Sequence, residues 1–80
     1  MARIKMSKDV VPFEGAEVLD TEPVLVTNPF SGESIMLNPV EVTVYDITMG
    51  ASQLGAYKTV QTGIDWFRRF NPRAYMVLLD

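Results

Sequence analysis

The chain has 80 residues, of which 48% are hydrophobic and 21% charged, and its net charge is −3. That is room for one domain, too apolar for a disordered polymer, and without the run of about 20 apolar residues that a membrane span needs. Cysteine and histidine are both absent, which excludes disulfides, Cys/His zinc sites, thiol nucleophiles and histidine general bases.

The charges are segregated. Arg3, Lys5 and Lys8 stand in residues 1–8 without an acid. Residues 9–56 carry Asp9, Glu14, Glu17, Asp20, Glu22, Glu33, Glu41 and Asp46 without a base. Residues 57–80 turn basic again, with Lys58, Arg68, Arg69 and Arg73 against Asp65 and Asp80. A long base-free stretch repels phosphate backbones. It keeps a protein soluble, or steers it toward a basic surface. Asp9 and Pro12 interrupt any apolar stretch of a secretory signal, so a cytoplasmic location is expected.

Residues 1–22 are expected to form a flexible amino-terminal arm, and residues 23–80 a single small globular domain. Ala2-Arg3-Ile4-Lys5-Met6 alternates apolar and polar and suits an edge strand. Pro12 to Glu22 shows no sustained period and reads as irregular and mobile.

Residues 23–37 predict a β-hairpin. Val24-Leu25-Val26-Thr27 is rich in β-branched residues, and Ser34-Ile35-Met36-Leu37 can pair with it. In the loop between them, Pro29 pre-sets a type I turn with Asn28 at its first position. Gly32 supplies the left-handed residue that closes a bulged hairpin. Asn-Pro-Phe-Ser-Gly also has the shape of a zinc knuckle with both cysteines replaced, and without thiolates it holds no zinc.

Residues 38–54 predict the first helix. Asn38 is the N-cap, Pro39 takes N1, and Glu41 at N3 closes a capping box. Val40, Val44, Ile47, Ala51 and Leu54 form one apolar stripe, and Gly55 ends the helix. Residues 57–70 predict the second helix, with Tyr57, Val60, Ile64 and Phe67 as its stripe. Asn71-Pro72 breaks it, and Asn71 then caps a short third helix from Pro72 to about Leu79. The two long stripes match in one antiparallel register. Leu54 with Tyr57, Ala51 with Val60, Ile47 with Ile64 and Val44 with Phe67 all have numbers that sum to 111, which argues for an αα-hairpin. Gly50 and Gly63 near this seam suggest close helix approach. Each helix has a second apolar stripe, Val42, Tyr45 and Met49 on the first and Trp66 and Phe70 on the second. Both are expected to lie under the strands or the third helix (Tyr75, Met76, Leu78, Leu79), or under a second chain. The expected fold is α+β: a small β-hairpin packed on a helical hairpin, plus a short C-terminal helix.

The search for chemistry finds little. No metal-ligand spacing and no phosphate loop is present. The serines lack an activating histidine. Asp46 and Asp65 also sum to 111 and are a carboxylate pair that could approach across the helices, but helix-flank acids are mostly solvated. No enzyme activity, metal or cofactor is expected. Nucleic-acid binding in the manner of a helix-turn-helix is the alternative, with Lys58, Arg68, Arg69 and Arg73 as its positive face. The acidic balance and the apolar third helix speak against it.

Asn28-Pro29-Phe30-Ser31-Gly32-Glu33, Leu37-Asn38-Pro39-Val40-Glu41, Val44-Tyr45-Asp46, Tyr57-Lys58, Gly63-Ile64-Asp65-Trp66-Phe67-Arg68 and Ala74-Tyr75-Met76-Val77-Leu78-Leu79-Asp80 carry a pattern. It resembles small uncharacterised proteins of tailed bacteriophages, marine ones especially, over residues 24–80. That resemblance implies a phage setting, hence the host cytoplasm, and brings no catalytic or binding residues with it. In such a setting the expected role is protein–protein interaction. The partner would be a host or phage protein, a second copy in a homo-oligomer, or neighbours in the virion if the chain is a minor particle component; a membrane is not expected. Glu41, Val42, Tyr45, Asp46, Met49 and Trp66 are the candidate partner-binding residues. They combine an apolar stripe with flanking acids and one aromatic anchor.

Overall fold

The structure is a computed structural model that describes residues 6–80. The edge strand expected over Ala2–Met6 falls, except for Met6, outside the described residues. Two strands, β1 (Val24–Thr27) and β2 (Ser34–Leu37), form an antiparallel hairpin. They are followed by helices α1 (Pro39–Leu54) and α2 (Tyr57–Phe70), a short turn of helix α3 (Pro72–Ala74), and a π-helical turn, Tyr75–Leu79. The α+β architecture is the expected one; α1 begins and ends where capping chemistry places it, and α2 ends at Asn71 as expected.

The hairpin pairs Val24 with Leu37, Leu25 with Met36, Val26 with Ile35 and Thr27 with Ser34. Alternation then sends Val24, Val26, Ile35 and Leu37 inward, and leaves Leu25 and Met36 exposed on the outer face. Asn28 organises the loop. Its backbone N–H donates to the Glu33 carbonyl (2.8 Å), and its own carbonyl accepts from Gly32 N–H (2.8 Å). Its side-chain Oδ1 accepts from Phe30 N–H (2.8 Å), which is the Asx turn that favours Asn here. Gly32 takes φ 77°, the left-handed region expected of it. The Asn28 Nδ2 donates to the Val77 carbonyl at 2.9 Å. That bond ties the loop to the π-helical turn.

At the start of α1 the capping box is complete. Glu41 N–H donates to Asn38 Oδ1, and Asn38 N–H donates to Glu41 Oε1, both at 2.9 Å. The second carboxylate oxygen of Glu41 accepts from Asn71 Nδ2 at 2.7 Å. Asn71 in turn caps α3 through Oδ1, which accepts from Ala74 N–H. One glutamate therefore joins the start of α1 to the break after α2. Replacing Glu41 by Ala removes both bonds and is expected to cost about 1–3 kcal/mol. Glu41→Gln keeps one acceptor and should cost less. Urea denaturation of the two variants would show the difference.

The core joins Leu37, Val42, Val44, Trp66, Phe67, Ala74 and Leu78. The register sum of 111 holds at the seam, where Val44 and Phe67 are fully buried and Thr48 lies against Gly63. The Thr48 hydroxyl donates to the Val44 carbonyl one turn earlier (2.7 Å), which satisfies a buried hydroxyl. The stripe reading needs two corrections. Leu54 and Tyr57, at the tip of the helical hairpin, are 85% and 80% exposed, because among the described residues no element reaches past the turn to cover them. Ile47 and Ile64, expected to meet, are half-buried and line different clefts. The small pair Thr48 and Gly63 occupies the seam and pushes the larger side chains to its flanks.

Two further expectations change. The third helix is one turn of α-helix that widens into a π turn, with Asp80 N–H reaching the Tyr75 carbonyl at 2.8 Å. The amino-terminal segment is irregular, as expected, but residues 6–13 are docked. Pro12 is buried, and Met6, Val11 and Phe13 pack against the core. The Trp66 indole N–H donates to the Ser7 carbonyl at 2.9 Å. The packed unit therefore starts well before residue 23.

Candidate functional site

Two clefts flank α1. The larger is a groove of about 350 Å³ bounded by α1, α2, the hairpin loop and the chain's last residues. Tyr45, Thr48, Met49 and Ser52 come from α1, Val60 and Ile64 from α2, Phe30 from the loop, and Leu78, Leu79 and Asp80 from the end. Helical spacing puts Tyr45, Met49 and Ser52 on one face of α1. The Asn28 bonds hold the loop that brings Phe30 to the rim, where it is 97% exposed. The lining is predominantly apolar, and the volume lies at the lower end of the range for small-molecule pockets. It suits one or two side chains of a partner.

The smaller cleft, about 210 Å³, lies between α1 and the segment 16–20. Ala16, Leu19 and Ile47 supply its apolar lining beside Thr43, and Glu17, Asp20 and Asp46 ring it. Partial burial pushes the Asp46 carboxyl above its ordinary range, and the neighbouring Asp20 carboxylate adds to the rise. Burial also raises the Tyr45 phenol, with Asp46 again contributing. A carboxyl whose pKa rises on folding contributes most to stability below its unfolded pKa. That contribution is lost as pH rises through the folded value. Asp46→Asn is thus expected to stabilise the fold at neutral pH, with the gain vanishing below about pH 4. Urea midpoints at the two pH values test the sign, and Asp20→Asn should give a smaller shift in the same direction.

The structure separates the six candidate partner-binding residues. Tyr45 and Met49 line the groove and Asp46 the acidic cleft. Val42 and Trp66 are core residues, 6% and 0% exposed, and present no surface. An exposed Trp66 face is therefore not part of this fold; Trp66 stacks edge-on to Phe67 (5.1 Å, 86°) and tilted to Phe70 (5.5 Å). Glu41 has both carboxylate oxygens engaged in structural bonds. Sequence reasoning missed Phe30, Ile64 and Leu79 as groove residues and Asp20 as a neighbour of Asp46. Phe30 alone left a signal, since turn chemistry explains Asn28, Pro29 and Gly32 but requires no large aromatic beside them.

The basic residues Lys58, Arg68, Arg69 and Arg73 are exposed, and none lines either cleft. The guanidinium of Arg68 lies 5.2 Å from the Tyr75 ring centroid, and that of Arg69 lies 5.4 Å from the Phe70 centroid. Both rings are thereby occupied by cations of the same chain. Asp65 accepts from Gln61 Nε2 (3.1 Å), whereas Asp46 shares its cleft with Asp20, so the two carboxylates keep different neighbours. Among the described residues, no three acids, cysteines or histidines are grouped to hold a metal ion, and no helix is long and apolar enough to cross a membrane. No family model, curated protein or solved structure matches the chain.

Proposed function

We propose that this chain is a small non-enzymatic protein-interaction module, a phage accessory protein in its setting, whose contact surface is the apolar groove beside α1. The observation that carries this reading is the groove itself: Tyr45 and Met49 form one wall, and a fully exposed Phe30 stands at the rim on a turn held by hydrogen bonds. Exposed aromatic and methionine side chains around a concave apolar surface are typical of protein contacts. A preorganised turn lowers the entropy lost on binding.

The test is capture of a partner from phage-infected host lysate, after sedimentation has fixed the oligomeric state. Phe30→Ser should reduce capture while leaving the fold intact, and the Tyr45→Ala/Met49→Ala pair, compared at equal folded fraction because Tyr45 also packs against the core, should reduce capture of the same partner. Capture unaffected by both variants would remove the groove from the function. Repeated failure of the monomer to capture anything would remove the function.

A further inference from the structure

The two clefts lie on either side of one exposed strip of α1, formed by Asp46, Met49, Gly50 and Gln53 at the spacing that stacks residues on one helical face. Met49 borders the apolar groove and Asp46 borders the acidic cleft. Among the described residues, neither cleft has a lysine or arginine in its lining, whereas Glu17, Asp20, Asp46 and Asp80 are all present there. Gly50 is the strip's other distinguishing feature. It sits in a helix interior, where glycine is unfavourable relative to alanine. A Cβ added there would meet nothing within 4 Å, so no contact within the fold requires the glycine. Gly63 has such a requirement and Gly50 does not.

We infer that this strip is the docking surface for a basic segment of a partner protein, which crosses α1 at Gly50 with an apolar side chain in the groove and a lysine or arginine in the acidic cleft. The inference rests on the proposed interaction function and adds to it the partner's chemistry and path. Charge complementarity selects the occupant. A cationic head meets carboxylates that no base among the described lining residues offsets, while its methylene stem lies on Ala16, Leu19 and Ile47. The bare backbone at Gly50 lets the crossing chain approach closely. An extended segment of about four or five residues spans the width of a helix.

Three synthetic peptides of equal length test it by amide chemical-shift mapping on the full chain: one of mixed Leu and Lys, one of Leu and Glu, one of Ser and Lys. The Leu/Lys peptide should shift the amides of Asp46, Met49 and Gly50. Its affinity should fall roughly tenfold, equivalent to about 1.4 kcal/mol, in Gly50→Gln and in Asp46→Asn, with thermal stability unchanged or higher in both. Equal binding of the Leu/Glu peptide would overturn the charge selection and leave the interaction module standing. Equal binding of the Ser/Lys peptide would reduce the surface to simple ion attraction and overturn the groove's part in it. A dimer abolished by Gly50→Gln would make the occupant a second copy and overturn the basic partner. Absence of binding by the Leu/Lys peptide overturns this inference alone, because the interaction function is judged separately by capture through Phe30, Tyr45 and Met49.

Discussion

Trp66→Ala is expected to destabilise the fold by about 3–5 kcal/mol. The side chain is fully buried, stacks on Phe67 and Phe70, and donates its indole N–H to the Ser7 carbonyl. Truncation opens a cavity in the centre of the core and releases the amino-terminal segment from its polar tether. A domain of this size has a total stability on the order of 4–12 kcal/mol. The variant should therefore show a large population of unfolded chain at mild urea concentrations. Trp66→Phe separates the two contributions. It retains most of the apolar volume but leaves the Ser7 carbonyl without its donor, at a cost of about 1–3 kcal/mol. Amide exchange should then accelerate first over residues 6–13. A loss under about 0.5 kcal/mol for Trp66→Ala, the scale of a surface change, would contradict the core described above.

The second large effect is expected from the smallest substitution. Gly63→Ala adds one methyl group, and that carbon would overlap Thr48 Oγ1 and stand 2.9 Å from both Thr48 Cβ and Cγ2. Thr48 is short, β-branched and tied to the Val44 carbonyl, so it has no flexible end to swing away. The helices must separate, and overpacking of this kind costs about 1–3 kcal/mol. Helix propensity works the other way by about 0.5–1 kcal/mol and does not offset it. Thr48→Ala in the same chain removes Oγ1 and Cγ2 and should recover part of the loss. The double variant is thus less destabilised than the two singles together. Gly50→Ala is the control: with open space around it, the same exchange should stabilise by about 0.4–1 kcal/mol. If both glycine variants shift the urea midpoint in the same direction, close approach at Gly63 is not what holds these helices in register.

Local chemistry carried the sequence a long way. Asn38, Pro39 and Glu41 mark the start of α1, Gly55 its end, and Asn71-Pro72 the end of α2, because capping and φ restriction act over three or four residues. The β-branched run of β1 and the Asn28-to-Gly32 loop were legible for the same reason, and the antiparallel register of the two helices was legible from their matching apolar stripes. So was the absence of thiol and imidazole chemistry, which follows from composition alone. Of the candidate site, Tyr45, Asp46 and Met49 were found because they repeat along one helix.

What only the tertiary structure decided are the relations between elements distant in the chain. Val42 belongs to the same apolar stripe as the exposed Met49, and periodicity cannot say which end of a stripe another element covers. Leu54 continues the stripe of Val44 yet is exposed, because the chain turns back at Gly55 and no described element lies beyond it. The docking of residues 6–13 combines the packing of Met6, Val11 and Phe13 with an indole hydrogen bond across 59 positions, and the joining of α1 to α3 uses Asn71 reaching Glu41 across 30. The groove combines residues from Asn28 to Asp80. A concave surface is a property of how elements pack, so it has no period, cap or motif by which a sequence could announce it.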